Sequence, residues 1–308
     1  MSLLEIRGLK KYFGQVKAVD GISLHVDEGE CIGLLGPNGA GKSTAVSMIA
    51  TLLKPDAGQI VYRGIDITRD SRAFKAELGY VPQDIALYAD LSGMDNMKFW
   101  GRACGIGGAE LKKSIDRIAD IIGLKDRLKD HVKTYSGGMK RRLNIGVALL
   151  HNPKLIILDE PTVGIDPQSR NHILETVRDL NAQGISIIYI SHYMEEVMAV
   201  CRRIYIMDYG RVVADGTYDE LISINGSKQS IVFGMTGDER KIMEEVQKIG
   251  PCAKQNGEYI LTVACDAQVL TLLNHATQKL GSEIQSYRVE KPSLESIFLN
   301  LTGHGLRD

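Results

Sequence analysis

Residues Gly36-Pro37-Asn38-Gly39-Ala40-Gly41-Lys42-Ser43 read G-x-x-x-x-G-K-S, a spacing that can hold a polyphosphate. Dense negative charge needs close-packed donors that no side chain obstructs. Gly36, Gly39 and Gly41 let the backbone turn tightly and aim N–H groups at the phosphates. Asn38 lies within the same loop, and Thr44 follows it in the helix whose positive dipole end adds to the site. Lys42 can reach the β/γ oxygens, and the Ser43 hydroxyl can ligate Mg²⁺. A second group ends the apolar run Leu155-Ile156-Ile157-Leu158: a carboxylate at Asp159 can hold Mg²⁺, directly or through water. Glu160 follows and points another way, so it can face an attacking water as general base. Ser136-Gly137-Gly138 at the start of a predicted helix makes a second anion site. Taken alone, those three residues read as a flexible turn.

These groups need a scaffold of strands that end together. Cys31–Leu35 is a short buried strand feeding the loop, and Thr44 onward continues as helix. Residues 155–158 and 185–190 are further apolar strands, and helices are predicted over 136–150 and 166–182. Short apolar strands alternating with helices imply a mostly parallel sheet buried on both faces. Shorter strands are predicted at 2–8, 21–26 and 59–62, and residues 91–130 are helix-rich with a break at Gly105-Ile106-Gly107-Gly108. His192 follows the strand 185–190 directly, at the same sheet edge as Asp159. Ser223-Ile224-Asn225-Gly226-Ser227 marks a boundary. Beyond it the order is strand (229–235), helix (238–249), strands (251–255 and 258–264), helix (266–280), strand (283–289). That β-α-β-β-α-β order is ferredoxin-like, and a last helix is predicted over 292–302.

The bulk properties narrow the function classes. The 308 residues are 44% hydrophobic and 24% charged, ordinary for a globular protein with one large and one smaller domain. Net charge is −1, from 37 basic and 38 acidic residues, so no global field favours nucleic acid as a partner. No apolar run approaches the ~18 residues of a membrane span, and Met1–Arg7 lacks the pattern of a signal peptide. Cys31, Cys104, Cys201, Cys252 and Cys265 form no C-x-x-C pair and read as reduced thiols, which places the chain in the cytosol.

Taken together, the motifs resemble the nucleotide-binding subunit of an ABC transporter, over residues 1–222, with a helical subdomain at about 84–153 and a C-terminal accessory domain at 223–308. The implied fold is α/β: a P-loop ABC ATPase domain with a mostly parallel sheet core, an antiparallel β subdomain and a helical subdomain, followed by a small α+β ferredoxin-like domain. Tyr135-Ser136-Gly137-Gly138-Met139 is similar to the signature L-S-G-G-Q, with Tyr135 and Met139 replacing the usual Leu and Gln. The resemblance implies two subunits paired head to tail, each ATP held between one phosphate loop and the partner's signature. It further implies that Tyr12 stacks on adenine and that Gln83, in Tyr80-Val81-Pro82-Gln83, touches Mg²⁺ and the water and links the site to a membrane partner. In the same way His192 contacts the γ-phosphate and Asp166, in Gly164-Ile165-Asp166, crosses the dimer interface.

Tyr135–Leu143 and Val289–Phe298 are similar to segments of the ABC-2 exporter group, which implies export through a separately encoded permease and a position on the inner face of the membrane. The insert 84–133 is suited to receive a permease helix, and Leu87, Tyr88, Met97, Phe99 and Trp100 offer apolar residues there, most of which core packing explains. The alternative reading is a soluble ABC ATPase acting on nucleic acid or ribosomes. Such proteins usually carry two ATPase units or long coiled-coil insertions, and neither appears here.

Overall fold

The computed structural model describes residues 2–224, 229–255, 257–263, 268–290, 294 and 297–298, with the side chains of Ile224 and Gln255 left aside. They fall into two compact units, within Met1–Tyr218 and Asp219–Gly305.

In the first unit a six-stranded sheet holds Arg211–Gly216, Arg203–Asp208, Cys31–Leu35, Ser186–Ser191, Leu155–Asp159 and Leu78–Val81, in that spatial order. All neighbours are parallel except the first pair, which is antiparallel. Every residue of the three central strands is buried, as a sheet covered on both faces requires. Cα partners such as Leu35↔Ser191 and Asp159↔Ile190 bring the carboxyl ends of these strands to one edge. Open parallel sheets place their ligands at that edge.

A second, antiparallel sheet holds Val16–Asp27, Ser2–Phe13, Ala57–Tyr62 and Ile65–Asp66. Its inner residues Leu4, Ile6, Leu9 and Leu24 share one core with Ala45, Val46 and Ile49 of the helix Lys42–Ile49 and with Ile157 and Ile188 of the main sheet. Each such side chain taken fully from water stabilises by about 1.5–3 kcal/mol. The helices Gly93–Ala103 and Gly108–Ile121 and the 3-10 turn Lys125–Arg127 occupy the stretch 91–130 predicted to be helix-rich, and the helix Gly137–Leu149 falls within the one predicted over 136–150. Among the described residues no helix is long and apolar enough to cross a membrane.

The second unit is an antiparallel sheet in the order Cys252–Gln255, Glu258–Val263, Gln229–Met235, Ile284–Glu290, with helices Glu239–Ile249 and Val269–Leu280. Ile231, Phe233, Tyr259, Leu261, Ile242, Val246, Ala276 and Leu280 form its core. The expected β-α-β-β-α-β order is present. Cys265, Asn225-Gly226-Ser227 and most of the expected helix 292–302 lie outside the described residues.

Several elements depart from the sequence reading. The first two strands run to Phe13 and start at Val16, making a longer hairpin that carries charged residues through register shifts. The strands Leu78–Val81, Arg203–Asp208 and Arg211–Gly216 were not anticipated.

Candidate nucleotide site

The phosphate loop takes its shape from the strand before it and the helix after it. Gly41 caps the helix Lys42–Ile49 at φ +97°, a left-handed torsion that favours glycine. Packing imposes a second demand: a Cβ at Gly41 would collide with the Ala18 carbonyl, and one at Gly36 with the Met207 carbonyl. The Gly210 amide donates to the Ala40 carbonyl at 2.9 Å, so the turn after Arg203–Asp208 braces the loop. Gly210 therefore supports the site, although its spacing from the loop gave no sign of it. Asn38, Gly39 and Ser43 are exposed and Thr44 is half-buried.

Lys42 is only 5% exposed. Its Nζ donates to the Gly36 carbonyl at 2.7 Å and the Pro37 carbonyl at 3.0 Å, and lies 4.0 Å from Glu160 Oε1. Burial lowers its pKa, opposed by the carboxylates of Glu160 and Asp159.

Asp159 and Glu160 have different surroundings. Asp159 is buried and its Oδ1 has no hydrogen-bond partner. Burial foremost, then the charge of Glu160, pushes its pKa up to about 6, with Lys42 working against them. Glu160 sits at φ +47°, with its amide donating to the Ile190 carbonyl at 3.0 Å. Its Oε2 accepts from Gln83 Nε2 at 2.9 Å, and its Oε1 lies 3.3 Å from His192 Nδ1. Lys42, Gln83, Glu160 and His192 thus arrive from four separate segments and meet around one carboxylate. Arg141, in the helix Gly137–Leu149, donates to the carbonyls of Gln83 and Val163. It was not singled out in the sequence; a mid-helix arginine on a buried face is the signal that could have found it.

Ser136, Gly137, Gly138 and Asp166 form a different cluster. Ser136 caps the helix Gly137–Leu149, its Oγ accepting from the Met139 amide at 3.2 Å. Asp166 caps the helix Pro167–Ala182 and accepts from the Ser169 amide at 2.9 Å, which lowers its pKa. Gly138 packs so closely on Ser169 that a Cβ would collide with its hydroxyl, and Gly137 faces Gly164 and Ile165. The two helix starts are therefore locked together and present their exposed residues jointly.

The two signature departures have structural reasons. Tyr135 is buried and donates its hydroxyl to the Arg127 carbonyl at 2.7 Å. Residue 139 contributes its backbone amide to the cap, so methionine serves there.

Tyr12 is half-buried, with its hydroxyl donating to Asp20 Oδ1 at 2.7 Å. The next ring, Phe13, is 50% exposed.

A Mg²⁺ ion fits one observation above all: the orphaned, buried oxygen of Asp159 needs a partner. Among the described residues no group of three or more His, Cys, Asp or Glu side chains could hold a metal. A cation here would draw its remaining ligands from Ser43, Gln83, water and phosphate oxygens.

The family model described as "ABC transporter" matches residues 19–163. The linearmycin resistance ATP-binding protein LnrL of Bacillus subtilis (strain 168) is 43% identical, covering 99% of this chain and 100% of its own. Nod factor export ATP-binding protein I of Paraburkholderia xenovorans (strain LB400) is 36% identical, covering 99% and 98%. Among solved structures, an ATP-binding subunit of an ABC transporter superposes with a TM-score of 0.66 at 30% identity, covering 73% of this chain and 93% of its own.

Proposed function

The chain belongs to the family of ABC transporter ATP-binding subunits, and from that premise we propose that it is the ATP-hydrolysing motor of an exporter, driving a separately encoded permease. The observation that carries this reading is the convergence of Lys42, Gln83 and His192 on Glu160 beside the orphaned Asp159.

The amides of Gly36–Ser43, with Asn38 inside the loop and Thr44 just after it, cradle the phosphates of ATP, and Lys42 leaves its carbonyl partners to bridge the β- and γ-phosphates. Ser43, Gln83 and Asp159 would hold Mg²⁺, which would neutralise phosphate charge. Glu160 accepts the proton of the attacking water, while Gln83 orients that water and the carboxylate. His192 contacts the terminal phosphate, and Tyr12 or its neighbour Phe13 supports the base.

Ser136, Gly137, Gly138 and Asp166 lie in a cluster of their own, which supports their serving the nucleotide of a second copy in a head-to-tail pair. Nucleotide binding closes the pair and phosphate release reopens it, a ligand-biased two-state cycle. The names of the relatives, resistance to linearmycin and export of Nod factor, support export through an ABC-2 type permease at the inner membrane face. Residues 223–308 form an accessory domain with a regulatory or pair-stabilising role.

Reconstitution decides the matter. Purified chain with its permease in lipid vesicles should hydrolyse ATP and move cargo outward together. If the chain hydrolyses ATP but no polytopic membrane protein co-purifies with it from native membranes, the exporter reading is overturned.

A further inference from the structure

Behind the strand ends that carry Glu160 and His192 sits a carboxylate that the proposed chemistry does not use. Glu196, in the helix Met194–Val200, is 0% exposed. Thr162 Oγ1 lies 2.8 and 2.7 Å from its two oxygens, the Tyr189 hydroxyl donates to Oε2 at 2.8 Å, and Ser191 Oγ donates to Oε2 at 3.1 Å. Arg170 Nε stands 2.6 Å from Oε1 and balances the charge. A buried carboxylate persists only when paired and hydrogen-bonded on all sides. Every neighbour here is a donor, so the site is built for a carboxylate.

The donors lie beside the hydrolytic groups in the chain. Thr162 is two residues past Glu160, and Ser191 immediately precedes His192. Ser191 Oγ also accepts from the Tyr193 amide at 2.9 Å, so both chain neighbours of His192 are tied to Glu196. The Arg170 guanidinium stands 5.1 Å from the Tyr193 ring centroid, and that ring lies 4.1 Å from the His192 ring. Glu160 occupies a positive φ that a non-glycine residue keeps only when its surroundings hold it.

We infer that Glu196 is a positioning residue that sets the Glu160–His192 geometry by holding the turn after Glu160 and the segment around His192 to one buried carboxylate. The inference rests on the proposed roles of Glu160 and His192. Glu196 acts through Thr162, Ser191 and Arg170.

The test measures kcat and KM for MgATP, and the Kd of ATP, in the full-length chain. Glu196→Gln puts an amide N–H₂ among donors and removes the buried counter-charge of Arg170, leaving it only the exposed Glu195 at 3.8 Å; Thr162→Val removes one hydroxyl at nearly constant shape. Each should lower kcat roughly tenfold or more while KM and Kd stay within about twofold, and Thr162→Ser should restore kcat. Wild-type kcat in folded Glu196→Gln or Thr162→Val overturns the inference, as does a KM that rises in step with the lost kcat. Should Glu196→Gln not fold, Thr162→Val against Thr162→Ser decides. A wild-type chain that does not hydrolyse ATP overturns the function itself, which separates the two failures.

Discussion

His192 Nδ1 lies 3.3 Å from Glu160 Oε1, while the other oxygen of the same carboxylate accepts from Gln83. A carboxylate held from both sides keeps its orientation, as the proposed general base requires. Glu160→Gln preserves size but cannot take a proton, so hydrolysis should fall by roughly 10²-fold or more. ATP should still bind, and the pair of copies should persist with MgATP in gel filtration. Normal hydrolysis in this variant would move the base elsewhere, with His192 the nearest candidate.

Lys42 brings a positive charge into a buried site where two carbonyls and a carboxylate at 4.0 Å hold it. Lys42→Ala should weaken ATP binding by about 2–3 kcal/mol, the scale of charge-assisted hydrogen bonds. Calorimetry checks this, and unchanged affinity would remove Lys42 from the phosphate site.

Asp159 titrates high because burial disfavours its charged form. Its folded pKa, about 6, lies above the ordinary 3.8, so between those values the folded state holds the extra proton. Stability from this group is therefore full below pH 3.8 and is lost as pH rises through about 6. At ~1.4 kcal/mol per pH unit the loss is on the order of 3 kcal/mol. In metal-free buffer, Asp159→Asn should be more stable than wild type at pH 7.5, and the difference should shrink towards pH 4.5. A wild-type-minus-variant difference that is flat with pH in chemical denaturation would contradict the assignment.

The parts most legible in the sequence were those encoded by short spacing. Gly36–Ser43, Asp159-Glu160 and the apolar strands feeding them are local patterns, because strand, turn and helix succeed one another directly. The strand Leu78–Val81 escaped notice because four residues including a glycine carry no period. Arg211–Gly216 is an edge strand that alternates between exposed and half-buried residues, so its apolar signal is weak. The pairing of Gln83 with Glu160, and of Arg141 with the Gln83 carbonyl, joins residues far apart in the chain. No local spacing encodes such partners. Tyr135, which stands where the signature usually has Leu, is a buried residue with a satisfied hydroxyl.

The base-stacking surface has two candidate rings. The Tyr12 hydroxyl is engaged by Asp20, which also pairs with Arg211, whereas Phe13 presents a half-exposed ring. Stacking of a base on an aromatic ring is worth about 1–3 kcal/mol. We expect Phe13→Ala to raise the Kd of ATP by roughly 5-fold or more and to leave inorganic triphosphate unaffected, with Tyr12→Phe close to wild type. A larger effect from Tyr12→Ala than from Phe13→Ala would place the base on Tyr12.

Gln83 joins two parts of the same unit through different atoms. Its side chain donates to Glu160 at the sheet edge, and its carbonyl accepts from Arg141 in the helix that Ser136 caps. A ligand can drive a switch only through contacts that differ between two states. In the proposed cycle the Gln83 amide would supply one, holding Glu160 in the closed state and releasing it in the open one. The backbone contact with Arg141 would carry that change into the helical subdomain, the proposed meeting place with a permease. Gln83→Ala removes the side-chain contact and leaves the carbonyl, so ATP affinity should stay within about 2-fold while stimulation of hydrolysis by the permease is lost. The measurement compares hydrolysis rates of wild type and variant, each alone and with permease in lipid. Equal stimulation of both would place the coupling elsewhere, with Arg141 the next residue to change.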